Sequence, residues 1–357
     1  MGTDRSMSRR GLIAGAGAAG VVSTGLVSMG ARAQTLKPLR GIYPTRSTSS
    51  WAFYIAREAG FYAKHGIDAR LDFGVHPVGL AGLVSGEIQF TNYSLDDTAA
   101  ASLRDPTAFV VFSSLLSKAS FALMARPEFA SIEQLKGKRM GCGRVGDPPY
   151  HYTVGLIKKF GLKANDVVWT PTGTDATARA QMLLAGQLDA ALITSPSWYG
   201  LEARGLRRIT GLQEHPELGI FTGLTMRRTY AAANPDVPEK LIRSHAEAVK
   251  LLYTDRKSAI EIYRKYDPAA SQPDGERLYD DIFQSKAIDR IPLMPKWATM
   301  SAADRLSADL PAAMTFDYQR IMDMGVVRKL IAEGYFTALF GDEVRAEQAR
   351  LMGESFM

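Results

Sequence analysis

From Leu36 onward the spacing of hydrophobic positions switches repeatedly between two periods. Short runs rich in β-branched and aromatic residues, bounded by Gly, Pro or Asp, predict strands: LKPLRGIYP (Leu36 to Pro44), DARLDFGV (Asp68 to Val75), IQFTNY (Ile88 to Tyr93) and TAFVVFSSLL (Thr107 to Leu116). Between the first two, SSWAFYIAREAGFYAKHG has apolar residues at helical spacing, with Ser49 or Ser50 as N-cap candidate and Gly66 as the stop. Strand, helix, strand, helix implies a parallel α/β sheet. The pattern then returns, with RMGCG (Arg139 to Gly143), DVVWTP (Asp166 to Pro171) and LDAALITSP (Leu188 to Pro196) as strands and YHYTVGLIKKFG and TDATARAQMLLAG as the helices between them.

One phrase occurs twice. LVSGEIQFT (Leu83 to Thr91) is echoed by LLAGQLDAA (Leu183 to Ala191). In each copy a helix ends at a glycine able to take the left-handed conformation, Gly86 or Gly186, and a buried strand follows. Polar residues come where that strand should end: Thr91, Asn92 and Ser94 in the first copy, Thr194 and Ser195 in the second. The echo therefore predicts two similar α/β lobes rather than a repeated active-site motif.

Composition fits a folded chain of one or two domains, with 357 residues, 46% hydrophobic and 22% charged. The front end differs. SRRGLIAGAGAAGVVSTGLVSMGARA (Ser8 to Ala33) runs from the pair Arg9 and Arg10 through a Gly/Ala-rich apolar stretch to Ala31, Arg32 and Ala33, a small-x-small cleavage pattern. Residues 1–33 are read as an export signal of the twin-arginine (Tat) type, cleaved after Ala33, which predicts a soluble periplasmic protein. Its glycine content suits a membrane anchor poorly. Removing it takes away Arg5, Arg9, Arg10, Arg32 and Asp4, four bases and one acid, so the formal charge falls from +6 to +3. No Lys/Arg-rich run remains, which argues against a nucleic-acid partner. The one cysteine, Cys142, can make no internal disulfide and lies far from the position a lipid anchor would need. No later apolar run approaches the roughly 20 residues of a membrane span, so no stable membrane insertion is expected.

The order of phrases is more specific than any one of them. IAREAGFYAKHGIDARLDFG (Ile55 to Gly74), LVSGEIQF, LKGKRMGCGR (Leu135 to Arg144), LIKKFGLKANDVVW (Leu156 to Trp169), LLAGQLDAALITSP and NPDVPEKLIRSHAEAVKLL (Asn234 to Leu252) together resemble the periplasmic substrate-binding proteins of ABC importers. The likeness is to the nitrate/sulfonate/taurine and thiamine-pyrimidine-precursor branch, and covers residues 36–265. It implies a type II periplasmic-binding-protein-like fold: two lobes, each a mostly parallel sheet flanked by helices, closing on a small molecule held between them. Lobe one would take 34–115 plus 225–357, lobe two 116–224. Crossovers are expected near Ser113 to Ser120 and Glu214 to Gly223. The pattern from Val237 to Lys265 would pack back on lobe one, with AADRLSADL and MDMGVVRKLIAEG as an extra coat on it. A permease of the inner membrane is the implied partner, by transient docking, and no cofactor or metal is implied.

In open α/β sheets ligands bind beyond the carboxyl ends of the strands, where helix N-termini offer unpaired N–H groups. Those positions are polar here. YPTRSTSSW supplies Tyr43, Thr45, Arg46, Ser47, Ser49 and Trp51, GVHP supplies His76, and TNYS supplies Asn92, Tyr93 and Ser94. The second lobe offers Arg144 and Tyr150 from GRVGDPPYHY, Thr174 from TPTGT, and Ser195 and Trp198 from TSPSW. Each has a plainer explanation. Ser, Thr and Asn before helices cap them more often than they touch ligands. Arginines can simply be solvated, although a guanidinium matches carboxylate or sulfonate oxygens two at a time. Aromatics usually pack in cores.

Enzyme readings fare less well. GCGRVG (Gly141 to Gly146) satisfies G-x-G-x-x-G, but Pro148 and Pro149 delay the helix and the next strand lacks the ribose-binding acid. A second match, GAGAAG, lies inside the export signal. The five histidines show no metal spacing and no G-x-S-x-G elbow occurs. Relatives of the fold include pyrimidine-forming enzymes and aromatic-acid decarboxylases; the former carry a cysteine-rich motif that this chain lacks. The expectation is therefore a binding protein for a small, anionic organic molecule, a carboxylate or sulfonate with aromatic ones included, and not an enzyme. The alternative is a pyrimidine-synthase-like or decarboxylase-like enzyme on the same fold.

Overall fold

The computed structural model describes residues 35–173 and 176–356. Residues 1–33, read from the sequence as an export signal, and Thr174 lie outside them. Among the described residues ten strands build two five-stranded sheets. The first contains β1 (Lys37–Tyr43), β2 (Ile67–Phe73), β3 (Phe90–Ser94), β4 (Phe109–Leu116) and β10 (Thr222–Arg227), in the order β2-β1-β3-β10-β4. The second contains β5 (Phe121–Ala125), β6 (Arg139–Cys142), β7 (Val168–Pro171), β8 (Ala190–Thr194) and β9 (Arg207–Gly211), in the order β7-β6-β8-β5-β9. The molecule has the two-lobed α/β fold that the sequence implied.

The echo is structural. β3 and β8 occupy the same place in their sheets, and the glycines before them, Gly86 and Gly186, have φ of 81° and 70°, backbone that a side chain would strain. Each sheet is parallel except for one strand. β10 runs antiparallel to β3 and β4, and β5 antiparallel to β8 and β9. These reversed strands are the first made after each crossover, residues 117–120 outward and 212–221 on the return, so the chain enters each sheet from the end that faces the other. FALMA and RRITG are not among the runs that pattern picks out: each is only five residues long, and neither is rich in β-branched or aromatic residues.

The helices that matter for the site are α1 (Trp51–Glu58), α2 (His76–Ser85), α3 (Leu95–Ser102), α4 (Pro148–Lys159) and α5 (Ala176–Leu184). Four more come from the C-terminal part: α6 (Asp236–Thr254), α7 (Arg256–Tyr266), α8 (Gln272–Ser285) and α9 (Lys296–Leu306). The charged pattern expected to be continuous from Val237 to Lys265 breaks at Asp255, whose carboxyl caps α7 by accepting the Ser258 N–H at 3.0 Å. α6 packs on lobe one through His245, stacked on Phe53 at 4.7 Å and hydrogen-bonded to the Tyr62 hydroxyl at 2.9 Å.

α9, expected as a coat on lobe one, instead spans both lobes. Its Arg305 is 2% exposed and grips Asp96 of α3, itself 1% exposed, through two bonds of 2.7 and 2.9 Å. The same guanidinium donates to the carbonyls of Leu218 and Gly219 in the return crossover, at 3.3 and 3.2 Å. On the other side its stem packs on Gly155 of α4, where a Cβ would lie 3.0 Å from the Arg305 Cγ. The absence of a side chain at Gly155 is what lets α9 settle between the lobes.

A buried pair of this kind is costly to break from one side, because the survivor keeps its charge without a partner. Arg305→Met is expected to lower unfolding stability by about 3–5 kcal/mol, with Asp96→Leu added to it recovering most of the loss, as read from urea unfolding curves.

Candidate functional site

The strands of both sheets end at a shared cleft of about 1410 Å³. Its wall on lobe one is the turn after β1, the start of α2 and the end of β3. On lobe two it is the turn after β6, the first half of α5 and the residues following β8.

The turn after β1 is the most organised part. The hydroxyls of Thr45, Ser47 and Ser49 form a triangle with edges of 2.8, 2.9 and 3.0 Å. Its carbonyls are held from behind. Ser50 Oγ and Tyr54 Oη donate to the Thr45 carbonyl at 2.8 and 3.1 Å, Tyr263 Oη to that of Arg46 at 2.9 Å, and Asn92 Nδ2 to that of Ser49 at 2.8 Å. Neither Ser47 nor Ser50 caps the helix that follows with its side chain. The Arg46 guanidinium is exposed and rests 4.0 Å over the ring of Phe73.

Two other helix starts at the cleft are filled by the protein. Ser94 caps α3, accepting the Asp97 N–H at 3.0 Å. Asp147 caps α4, accepting the N–H groups of Tyr150 at 3.1 Å and Arg144 at 2.8 Å. This is the G-x-G-x-x-G turn, and its helix start holds its own carboxylate where a nucleotide phosphate would have to sit. Burial, only partly offset by those two N–H donors, holds the Asp147 carboxyl above the usual range, and the charge of Asp97 adds to the rise.

His76 stands at the start of α2 with Nδ1 2.6 Å from Asp97 Oδ2, its ring stacked on Tyr93 at 5.3 Å. Burial works against a charged imidazole, but Asp97 outweighs it, and the His76 pKa lies above its ordinary value. Cys142 is buried behind the turn after β6, and burial pushes its thiol up to about 11, which makes it a poor nucleophile.

Ten of the residues singled out in the sequence line the cleft: Tyr43, Thr45, Arg46, Ser47 and Ser49 from the first turn, His76, Asn92, Tyr93 and Ser94 beside it, and Arg144 opposite. Four do not. Trp51 is fully buried against Tyr263 at 5.0 Å with its indole N–H bonded to the Ala259 carbonyl, because hydroxyls occupy the cleft side of this helix start. Tyr150 packs on Trp169 at 4.6 Å in a small cluster with Cys142 and Val154. Ser195 is wholly enclosed, its N–H bonded to the Ser120 carbonyl at 2.9 Å. Trp198 is 3% exposed, wedged against Tyr199 with the Arg277 guanidinium 4.6 Å from its ring.

The sequence reading missed Arg179, Asp97, Asp147, Phe73 and Tyr266, all on the cleft. Arg179, 2% exposed, had a legible signal: four positions before Leu183, it falls on the buried stripe of α5. Among the described residues, the exposed cleft arginines Arg46, Arg104, Arg144 and Arg204 form no ion pair, whereas Asp97 and Asp147 are each engaged within the protein. Asp267, Asp274 and Asp309 line the cleft as well, so what it offers is exposed guanidinium groups outside ion pairs rather than a purely positive surface.

Comparisons with known proteins agree with this architecture. The family model described as "NMT1/THI5 like" matches residues 47–259. No curated protein sequence matches the chain. Among solved structures, the periplasmic sulfonate-binding protein SsuA from Methylobacillus flagellatus KT superimposes with a TM-score of 0.67 at 19% identity, over 85% of this chain and 96% of that one. The alkanesulfonate-binding protein SsuA from Xanthomonas axonopodis pv. citri, bound to MOPS, gives 0.60 at 19%, over 82% and 96%. The desulfurization enzyme DSZB in complex with biphenyl-2-sulfinic acid gives 0.62 at 14%, over 83% and 99%. These likenesses show the fold.

Because the His76 pKa is raised in the folded state, the Asp97 pair stabilises fully below the unfolded value of about 6.5 and fades as pH rises through the folded one. The stability gap between the protein and Asp97→Asn should therefore be widest in mild acid and narrow above neutrality, as measured by urea unfolding across pH.

Proposed function

The chain belongs to the NMT1/THI5-like family, and we propose that it works as an exported solute-binding protein that captures a small organic anion by lobe closure and hands it to an ABC permease. The observation carrying this reading is the turn after β1: an uncapped helix start, three hydroxyls and a guanidinium with no ion-pair partner among the described residues, facing a cleft between two lobes. A carboxylate or sulfonate has two or three oxygens for those donors. Lobe two's matching helix start is occupied by Asp147, which favours lobe one for the anionic group, with Arg144 on the opposite wall of the cleft. Exposed arginines at the mouth favour entry of anions over cations.

Closure about the two crossovers would expel water and strengthen each of these contacts. A micromolar dissociation constant needs only about 8 kcal/mol net, within reach of a few charge-assisted hydrogen bonds and an apolar wall. Export through the Tat route and periplasmic residence belong to the same reading, which draws on the Arg9 and Arg10 pair. Among the described residues no helix is long and apolar enough to cross a membrane.

The reading is tested by a thermal-shift screen of the purified mature chain with nitrate, taurine, alkane- and arenesulfonates, carboxylates and neutral heterocycles. A true ligand at a hundred times its dissociation constant adds about 2.7 kcal/mol. Arg46→Ala and Arg144→Ala should each weaken binding by about tenfold or more, by calorimetric titration. A flat screen would sink the reading, and turnover of any compound would favour an enzyme on this fold.

A further inference from the structure

Beside the anion-binding turn the cleft has a continuous aromatic face. Phe73, at the end of β2, is 40% exposed, unusual for a ring of its size. It packs against Tyr43 at 5.7 Å, and Tyr43 meets Tyr266 edge-on at 5.8 Å. Tyr266 in turn lies flat on the buried ring of Tyr54, 4.1 Å away with planes 9° apart. Its hydroxyl donates to Glu58 at 2.8 Å, and Glu58 is also paired with Lys265, which fixes the end of α7. Phe73, Tyr43 and Tyr266 all line the cleft, and Tyr266 lies outside the residues matched by the family model.

We infer that Phe73 and Tyr266 are specificity-determining residues that select arene anions over alkyl anions of the same charge. This rests on the solute-binding reading and narrows its substrate class. The physical reason is an exchange at Phe73. The Arg46 guanidinium covers that ring, and Arg46 lies between Thr45 and Ser47 of the hydroxyl triangle in sequence. When the guanidinium turns to the ligand's anionic group it uncovers an aromatic face that must find another partner or meet water. A planar ring attached to that anionic group fills the gap and stacks between Phe73 and the edge of Tyr266. A saturated chain covers the same area without matching the ring quadrupoles, and recovers less.

The test uses matched pairs: benzenesulfonate against cyclohexanesulfonate, and benzoate against cyclohexanecarboxylate, titrated calorimetrically into the mature chain and into Phe73→Leu and Tyr266→Leu. The mature chain should favour the arene of at least one pair by about tenfold. Each variant should bring that ratio to within about threefold by weakening the arene more than its cyclohexyl partner. Unchanged circular dichroism and melting temperature confirm that each variant folds, which the exposure of Phe73 favours. Equal affinity for both members of each pair, or a preference that survives both substitutions, overturns the inference. If the chain binds nitrate or alkanesulfonates but no arene, solute binding stands and the arene selectivity falls; if it binds no anion, both fall.

Discussion

Four side chains holding three backbone carbonyls give the site its shape. Ser50 and Tyr54 take the carbonyl of Thr45, Tyr263 that of Arg46, and Asn92 that of Ser49. Those three carbonyls are thereby turned to the core side, and the cleft side is left with the mutually bonded hydroxyls, the start of α1 and a guanidinium. The holders come from α1, β3 and α7, elements far apart in sequence, so the turn is rigid only when lobe one is fully assembled. A ligand that meets such a turn does not have to order it, which is where preorganised sites gain affinity.

The lobes share one topology but divide the chemistry unequally. Each sheet repeats the same strand order with one reversed strand, and each presents helix starts to the cleft. On lobe one the first helix start is left without a side-chain cap; on lobe two Asp147 fills the corresponding place. Two equivalent anion sites would compete for one small ligand and leave the other uncompensated. With one start open and the other self-capped, the two walls of the cleft differ.

The part of the chain beyond the family match ties the lobes together. Arg305 of α9 reaches α3, the return crossover and α4 at once, while Tyr199 of lobe two bonds Asp281 of α8 at 2.5 Å. The contacts to α3, α4 and Tyr199 join α9 and α8 to both lobes at points outside the two crossovers. The arginine needed there was legible as a charge near a chain end, but nothing local distinguishes it from the solvated Arg345 or Arg350.

What the sequence determined by itself was periodic and local: strand and helix runs, the left-handed glycines at 86 and 186, and the polar residues at strand ends, ten of which line the cleft. These follow from the geometry of one segment, where side-chain spacing and turn chemistry suffice. Tertiary structure alone decided that Trp51, Tyr150 and Trp198 turn into the core and that Phe73 and Tyr266 share one wall. Burial and charge pairing depend on which distant segments meet, and no window of residues contains that information.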